Sequence, residues 1–589
     1  MYRSLNEYVA RLEREGELMR ITVPVDPVYE IAEITDRISK SADGGKALLF
    51  ENTGSAFPVL TNLFGSDRRM ALALGATSLD ALGERIDALL HQAMTPKNTL
   101  IDKLRMLPML AEMSRWFPQT SSARGACQQV VHIGADASLA ALPVLKCWGC
   151  DGGRFVTLPM VHTLDPDTGA RNVGMYRMQL FDDRTTGMHW HIHKTGARHY
   201  DAYKRLGQRM PVTVTLGGDP AYTYAATAPM PDNMDEYLLA GFLRRKPVRL
   251  VRCLTNELQV PADCDFVIEG YVDPAEEKAV EGAFGDHTGF YSLTDRYPRF
   301  HITALTHRRK AIYPATVVGI PPQEDAYIAK ATERIFLAPI RLAVQPEVVD
   351  LTMPTAGTAH NVAVVSIAQR YEGQASKVAQ GLWGAGQMMF NKYLIIVPAD
   401  ADVRNTQELA CRIRNANLTR DLIRSEGILD VLDHATATLG FGGKLALDLT
   451  GVQPTSEAVN ADDSHAMWGV KVAYADPDAE VATPSGSKYF AIFDSSAQGL
   501  TGEELLWLAA ANTDPRRDVS LCGETLRIDA RSKRPAVDGH PSRFPNVVTA
   551  LPETIDLVDR RWAAYAIGEF IESPSRRYRA LLHSEKEAW

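Results

Sequence analysis

The sequence predicts a mixed α/β protein of two or three domains, with a β-rich barrel or sandwich at its centre. The chain has 589 residues, 45% of them hydrophobic, which is more than one hydrophobic core usually supports. Short β-type runs separated by turns fill the middle of the chain, whereas helices and strands alternate on either side. These observations together define the fold class.

Residues 1–122 are expected to form an N-terminal α/β domain. The pattern predicts an amphipathic helix in MYRSLNEYVARLEREGELMRI, a short strand near GKALLF, and further helices such as SLDALGERIDALLHQAM. The sequence of this domain contains no obvious catalytic motif.

Residues 123–328 are expected to form the β-rich domain. Its strands are predicted in FVTLPMVHTL, NVGMYRMQLFDD, MPVTVTLGG, KPVRLVRCL, DFVIEGYV and FHITALTHRR. The segment DPDTGAR supplies turn residues between the first two of these strands.

Residues 329–589 are expected to form a C-terminal α/β domain, because helical and apolar strand patterns alternate there. The segments 408–423 and 504–521 share a helix-then-strand pattern. This similarity is consistent with a duplicated unit and equally with chance.

Composition excludes several functional classes. A net charge of −9 and a pI near 6.0 argue against a nucleic-acid-coating surface. The charged N-terminal helix does not resemble a signal peptide, and no apolar run reaches the length of a membrane span, so a cytoplasmic location is expected. Seven cysteines fit a reducing compartment, and the pair Cys147 and Cys150 offers too few ligands for a zinc site.

The segment GMHWHIHKTG places His189, His191 and His193 at every second position. In a strand, neighbouring histidines would lie about 6.6 Å apart and the outer two about 13 Å apart. Metal–nitrogen bonds are only about 2 Å long, so one metal ion cannot bind all three unless the strand is broken.

Two further groups of residues suit a cofactor or acid–base site. Asn172 and Glu236, together with a histidine, offer oxygen and nitrogen ligands that suit Mg²⁺ or Mn²⁺ better than structural zinc. The segment EGAFGDHTGFYS carries Glu281 and Asp286 among glycines, and paired carboxylates near an arginine can have very different pKa values. By its spacing alone, that segment favours two solvated acids in a glycine-rich turn between strands.

The motifs NVGMYR, MHWHIHKTG, MDEYLLAG and EGAFGDHTG resemble, in order and approximate spacing, those of the UbiD family of prenylated-flavin-dependent decarboxylases. The resemblance extends from the N-terminal helix to RNANLTRDL and FGGKLALD. It implies a flavin-reductase-like split β-barrel at the centre and a C-terminal α/β oligomerisation domain. An insertion within about residues 450–530 departs from the family pattern.

The resemblance also implies roles for particular residues. The catalytic residues would be Arg177, Glu281 and Asp286. The metal ligands would be Asn172, His193 and Glu236. The residues near the cofactor would be Asn172, Met175, Tyr176, Arg177, His189, Trp190, His191, His193, Lys194, Thr195, Glu236 and Lys444, the last preferred over Lys533.

In the mechanism that the resemblance implies, Arg177 orients the substrate carboxylate and keeps Glu281 ionised, and Asp286, kept protonated by a dry pocket, protonates the carbon that lost CO2. The implied cofactors are prenylated FMN and Mn²⁺ or Mg²⁺, with K⁺ as a further candidate. The implied partners are an aromatic acid substrate, a flavin prenyltransferase of the UbiX type as cofactor supplier, and further copies of the chain in a dimer or hexamer.

The substrate is expected to be a phenolic acid of a quinone pathway, with an unprenylated hydroxybenzoate or catechol acid as the alternative. Two other classes remain open from the sequence, an FMN-dependent oxidoreductase and a non-catalytic flavin-binding module. The carboxylate pair with Arg177 favours the decarboxylase, because hydride transfer does not require it.

Overall fold

The computed structural model describes residues 1–95, 106–358, 360–454, 469–533 and 543–589. Over these ranges the chain forms a mixed α/β fold, which confirms the class predicted from the sequence. Residues 455–468, within the predicted insertion, lie outside the described residues. No helix in the described ranges is both long and apolar enough to cross a membrane.

The N-terminal part joins helices to a small sheet. Helix α1 begins at the cap Ser4, whose hydroxyl accepts a hydrogen bond from the Glu7 amide, and it buries one apolar face. Strand β1 pairs parallel with β2, and β2 pairs antiparallel with β3. The elements are α1 (Leu5–Arg14), β1 (Leu18–Pro24), α2 (Glu30–Ser39), β2 (Ala47–Asn52), β3 (Val59–Thr61), α3 (Asp67–Ala73), α4 (Leu79–Met94) and α5 (Leu107–Ser114).

The central part is built on a seven-stranded antiparallel sheet of order β10-β17-β14-β11-β7-β8, with β5 also paired to β17. Alternate residues of its strands, such as Val212, Val214, Ile268 and Ile302, pack into one core on the same face. Its elements are β4 (Gln119–Ser121), β5 (Val130–Ile133), β6 (Phe155–Val156), β7 (Met160–Leu164), β8 (Arg171–Met175), β9 (Met178–Gln179), β10 (Thr185–Gly187), α6 (Thr195–Leu206), β11 (Met210–Leu216), α7 (Pro220–Thr227), α8 (Glu236–Arg244), β12 (Arg249–Arg252), β13 (Gln259–Pro261), β14 (Phe266–Val272), β15 (Ala279–Glu281), β16 (Asp295–Tyr297), β17 (Arg299–His307) and β18 (Tyr313–Pro314).

The C-terminal part contains two sheets, with orders β19-β20-β21-β23-β22 and β24-β25-β27-β26. Most of the first sheet is apolar throughout, as expected for parallel strands covered on both faces. The elements are α9 (Glu324–Ala343), β19 (Val348–Thr352), β20 (Val362–Ile367), α10 (Gln374–Trp383), β21 (Tyr393–Pro398), α11 (Thr406–Asn415), β22 (Leu422–Ile428), β23 (Phe441–Asp448), β24 (Val470–Tyr474), β25 (Tyr489–Phe493), α12 (Gly502–Asn512), α13 (Pro515–Asp518), β26 (Val519–Cys522), β27 (Thr525–Asp529), α14 (Pro552–Tyr565) and α15 (Ser575–Tyr578).

Four strands of the first C-terminal sheet, β20 to β23, have the same topology as the four strands of the second. In each, two parallel strands precede a helix and a hairpin, and the second hairpin strand returns to pair parallel with the strand before the helix. Individual hydrogen bonds also correspond: the Leu445 amide donates to the Lys392 carbonyl at 2.9 Å, and the Leu526 amide donates to the Lys488 carbonyl at 2.8 Å. The similarity seen in the sequence is therefore a duplicated unit.

The end of the chain packs against its beginning. Helix α14 contacts α2 and β1. The fully buried Arg37 of α2 forms an ion pair of 2.7 Å with Asp559 of α14, and the Tyr565 hydroxyl donates to buried Glu30 at 2.6 Å. The N-terminal part is thus completed by residues more than five hundred positions away.

Candidate active site

Arg177 lies at the centre of a buried cluster of charged side chains. It follows β8, and its Nε contacts Oε1 of Glu281, the last residue of β15, at 3.3 Å. One terminal nitrogen forms an ion pair with Asp286, and the other donates to the Ser292 hydroxyl at 2.9 Å. The structure therefore brings together the three residues that the sequence singled out as catalytic.

The two carboxylates are both ionised in this arrangement. Burial raises the pKa of Glu281, but Arg177 and a hydrogen bond from His189 outweigh burial and lower it. Burial also raises the pKa of Asp286, yet Arg177 and His287 hold it well below its ordinary value. The expectation that a dry pocket keeps Asp286 protonated is wrong for this state, because two cationic neighbours act against burial.

A proton is instead held by His287, next to Asp286. Its Nδ1 lies 2.9 Å from Oδ1 of Asp286, and its backbone amide donates to the same oxygen at 2.8 Å. Burial lowers the pKa of His287, but Asp286, followed by Asp325 and Asp430, raises it to about 9. Asp286 and His287 together therefore carry one proton at neutral pH.

The three alternate histidines do not lie in a strand. Strand β10 ends at Gly187 and helix α6 begins at Thr195, so the segment between them is irregular. His189 Nδ1 donates to Glu281 Oε2 at 2.6 Å, and its Nε2 lies 2.6 Å from Nε2 of His191. Burial and the charge of Arg177 lower the pKa of His189, and burial with His189 lowers that of His191 to about 3. His189 therefore orients Glu281 as a neutral donor.

Two of the three predicted metal ligands lie close together. Glu236 is the first residue of α8, and its Oε2 accepts a hydrogen bond from the Val173 amide at 2.8 Å, next to Asn172. His193 is exposed, and its ring lies 6.2 Å from that of Phe390. Among the described residues, no hydrogen bond or ring contact joins His193 to the other two.

The donor set near Glu236 is suited to a divalent cation. Burial and, to a smaller extent, Asp235 raise the pKa of Glu236 to about 8, although the amide of Val173 opposes them. An amide oxygen of Asn172 and a carboxylate oxygen are hard ligands of the kind that Mn²⁺ and Mg²⁺ bind. A cation beside Glu236 would replace the proton that burial favours.

The predicted flavin-contacting residues surround the start of α6. The side chain of Lys194, the N-cap residue, makes no capping bond, and the Gly196 amide donates to the Tyr176 hydroxyl at 3.4 Å. The indole N–H of Trp190 is buried without a hydrogen-bond partner and faces Gly196. An unpartnered buried donor next to the start of a helix fits an anionic group such as a flavin phosphate. Thr195 begins the helix, and half-buried Met175 packs against two hydrophobic cores.

Lys444 lies away from the charged cluster, inside the C-terminal part. Its ammonium donates to the carbonyls of Met389 and Asn391 at 2.7 and 2.6 Å. These bonds hold the segment that carries Phe390, whose ring lies 6.0 Å from the Lys194 ammonium. Burial and the nearby Lys392 lower the pKa of Lys444 to about 7. Its predicted direct contact with the cofactor remains a prediction.

The sequence analysis missed several side chains of the site. His287 and Ser292 stand within the quoted segment EGAFGDHTGFYS, where their polar character was a usable signal. Tyr297, whose ring centre lies 4.2 Å from that of His189 in a tilted arrangement, has no such signal. The C-terminal part contributes His360 and Asp430, 3.5 Å apart, with the His360 ring 6.2 Å from that of His287.

Three family models match this chain. They describe the N-terminal, Rift-related and C-terminal domains of 3-octaprenyl-4-hydroxybenzoate carboxy-lyase, and they match residues 9–89, 119–321 and 326–449. An uncharacterized protein of Aquifex aeolicus is 46% identical over 451 residues, covering 76% of this chain and 92% of its own length. One of Helicobacter pylori is 34% identical over 598 residues, covering 95% and 96% of the two chains.

Solved structures match as well. HmfF from Pelotomaculum thermopropionicum, a UbiD-class enzyme in complex with FMN, has a TM-score of 0.65 and 26% identity, covering 78% of this chain and 96% of its own. An evolved dimeric form of HmfF, in complex with prFMN, has a TM-score of 0.63 and 26% identity, covering 78% and 97%. Vanillic acid decarboxylase of Sedimentibacter hydroxybenzoicus, in its closed form, has a TM-score of 0.67 and 25% identity, covering 79% and 95%.

The matched family models together span most of the chain. The protein is therefore an enzyme of the carboxy-lyase class. The chain belongs to the UbiD family.

Proposed function

We propose that this enzyme is a reversible, non-oxidative decarboxylase of an aromatic acid that uses prenylated FMN and a divalent metal. The single observation that carries the proposal is the contact of Arg177 with both Glu281 and Asp286 in a buried site. HmfF was solved with FMN and with prFMN, which supports a flavin beside this cluster.

Arg177 is the group that would bind the substrate carboxylate. Three of its five N–H donors contact Glu281, Asp286 and Ser292, which leaves two for a carboxylate in bidentate geometry. Glu281, ionised and oriented by His189, holds the guanidinium in place. Loss of CO2 breaks the bond between the ring carbon and the carboxylate and leaves an electron pair on that carbon.

The Asp286–His287 pair would supply the proton that replaces CO2. Asp286 is ionised at rest, so the proton passes from the His287 imidazolium to Asp286 and from there to the substrate carbon. No net oxidation or reduction takes place, and the reverse sequence carboxylates the product.

Bound prenylated FMN would supply the electron sink that makes loss of CO2 from an aromatic ring feasible. Trp190, Lys194 and the start of α6 would hold its phosphate, and Asn172 with Glu236 would hold Mn²⁺ or Mg²⁺. His193 would complete the metal site, and K⁺ is a further candidate cation.

A phenolic acid of a quinone pathway is the preferred substrate, and an unprenylated hydroxybenzoate or catechol acid is the alternative. A vanillic acid decarboxylase among the similar structures supports a phenolic substrate. The imidazoles of His287 and His360, together with Asp430, offer hydrogen-bonding groups suited to a phenolic hydroxyl.

We also propose a domain organisation, a source of the cofactor, a cellular location and an assembly for this enzyme. We place the domain boundaries after residues 122 and 328, with the inserted segment at about 450–530. A flavin prenyltransferase supplies the cofactor, the enzyme works in the cytoplasm, and it assembles as a homo-oligomer. The dimeric form of HmfF supports such an assembly.

The test is co-expression with a flavin prenyltransferase, followed by mass spectrometry of the released flavin, metal analysis and CO2 release from a panel of phenolic acids. We expect prenylated FMN, about one Mn²⁺ per chain, and turnover of at least one acid. Plain FMN without metal, combined with reduction of the flavin by a nicotinamide, would instead support the oxidoreductase.

A further inference from the structure

The loop formed by residues 285–292, here called the acid loop, is bound by the end of the chain. It carries Asp286, and it lies in the central part, far from the C-terminus in sequence. We call the residues beyond 449, where the matched family models end, the C-terminal extension. Four backbone groups of the acid loop are bonded to this extension. They are the carbonyl of Thr288 to Trp507, the carbonyl of Gly289 to Val548, the amide of Tyr291 to Asn546, and the carbonyl of Ser292 to Trp589.

Trp507 makes the contact nearest to the acid. It lies in α12 and is only 1% exposed, and its indole N–H donates to the Thr288 carbonyl at 2.7 Å. Its ring lies 5.3 Å from that of Phe290. Gly289 has φ +84°, and a Cβ there would lie 2.6 Å from the Trp507 ring, so the turn is shaped to receive the indole.

The turn that Trp507 holds begins at Asp286. The Gly289 amide donates to the Asp286 carbonyl at 3.0 Å, and the Asp286 amide donates to the Phe290 carbonyl at 3.1 Å. Thr288 therefore sits inside a closed turn, and a bond to its carbonyl restricts the backbone on which the Asp286 carboxylate is mounted. The aspartate needs this restriction because its carboxylate must face Arg177 and His287 together.

Helix α12 is itself held by the pairing of the two duplicated units. Lys392, before β21, donates to the carbonyls of Ala510 and Thr513 at 2.8 Å each, at the end of α12. The corresponding Lys488, before β25, donates to the carbonyl of Arg414 at 2.7 Å, at the end of α11. Each unit thus contacts the other through the same structural positions, as the two subunits of a two-fold dimer do.

We propose that Trp507 is a positioning residue for Asp286, and that the second duplicated unit acts as a built-in partner that carries this tryptophan to the acid loop. The proposal rests on the proposed function only in naming Asp286 as the acid. A buried indole N–H usually finds a hydrogen-bond partner, and the partner of Trp507 is the carbonyl within the Asp286 turn.

The test compares Trp507→Phe, which keeps an aromatic ring and removes the N–H, with the matched control Trp562→Phe. Trp562 is 4% exposed and also donates its indole N–H to a backbone carbonyl, that of Glu569, at 2.9 Å. Backbone hydrogen exchange of peptides covering 285–292 is measured by mass spectrometry on the full-length protein without cofactor. We expect exchange in the acid loop to be at least about tenfold faster in Trp507→Phe and unchanged in Trp562→Phe.

A second readout follows the geometry of the acid itself. The pH dependence of deuterium exchange at the His287 C2 hydrogen reports the pKa of this imidazole. That pKa falls when Asp286 moves away. We expect its midpoint pH to fall in Trp507→Phe but not in the control. If Trp507→Phe matched the wild-type protein in acid-loop exchange and in the His287 midpoint, the proposal would be overturned. Equal changes in Trp562→Phe would also overturn it. Neither measurement needs a substrate, so an error in the proposed reaction would show separately as absence of CO2 release.

Discussion

The proton on His287 depends on Asp286, so Asp286→Asn tests the electrostatics of the site directly. Burial alone would keep the His287 pKa below its ordinary 6.5, but Asp286, with Asp325 and Asp430, raises it to about 9. The amide keeps the shape of the side chain and removes the nearest charge. We therefore expect the pKa of His287 to fall by about two pH units, which corresponds to about 3 kcal/mol of lost stabilisation of the imidazolium.

Deuterium exchange at the C2 hydrogen of each histidine, followed by mass spectrometry over a range of pH, measures this pKa in a protein of this size. In the unchanged protein His287 should hold its proton up to a pH of about 9. In Asp286→Asn about half of it should already be neutral near pH 7. His307, whose ring stacks on His132 at 5.8 Å, serves as the internal control. A His287 midpoint at the ordinary 6.5 in the wild-type protein would refute this reasoning. The same midpoint in the wild-type protein and in Asp286→Asn would refute it as well.

Three further predictions concern activity and metal binding. Glu281→Gln should lower kcat by about 10²- to 10⁴-fold at unchanged flavin absorbance, because the group that holds Arg177 loses its charge; nearly normal turnover would contradict this. Arg177→Lys should lower kcat/KM about 10- to 100-fold in steady-state assays, because one ammonium cannot replace the planar fork; full activity would show that the carboxylate binds elsewhere. Burial raises the pKa of Glu236 to about 8, so Mn²⁺ must displace a proton. Calorimetric titration should then show affinity rising about tenfold per pH unit below pH 8 and levelling above it, whereas Glu236→Ala should bind weakly at every pH.

Local patterns were sufficient to predict most of the fold. The runs MPVTVTLGG and DFVIEGYV became β11 and β14, and SLDALGERIDALLHQAM became α4, because buried faces leave a readable pattern in the sequence. The grouping of Arg177 with Glu281 and Asp286 came from likeness to a family, since about a hundred positions separate the arginine from the two carboxylates and no period connects them.

The sequence could not predict which groups in the site are charged. The protonation state of Asp286 is decided by the competition of burial with Arg177 and His287, and these distances exist only in the folded chain. The histidine segment was considered as a strand because of its alternation, but it is irregular, and His189 turns to Glu281 while His193 faces Phe390. Trp507 carries no motif, because its role depends on the pairing of two units.

The packing of α14 on α2 limits when the N-terminal part can fold during synthesis. A ribosome that has released only the first five hundred residues has made Glu30 and Arg37 but not Asp559 or Tyr565, their partners. Without α14, Arg37 keeps its ion pair with Glu33 but lacks Asp559, and the face of α2 that α14 covers stays in contact with water. The N-terminal part should therefore remain loosely formed, and open to proteases and chaperones, until α14 has been synthesised.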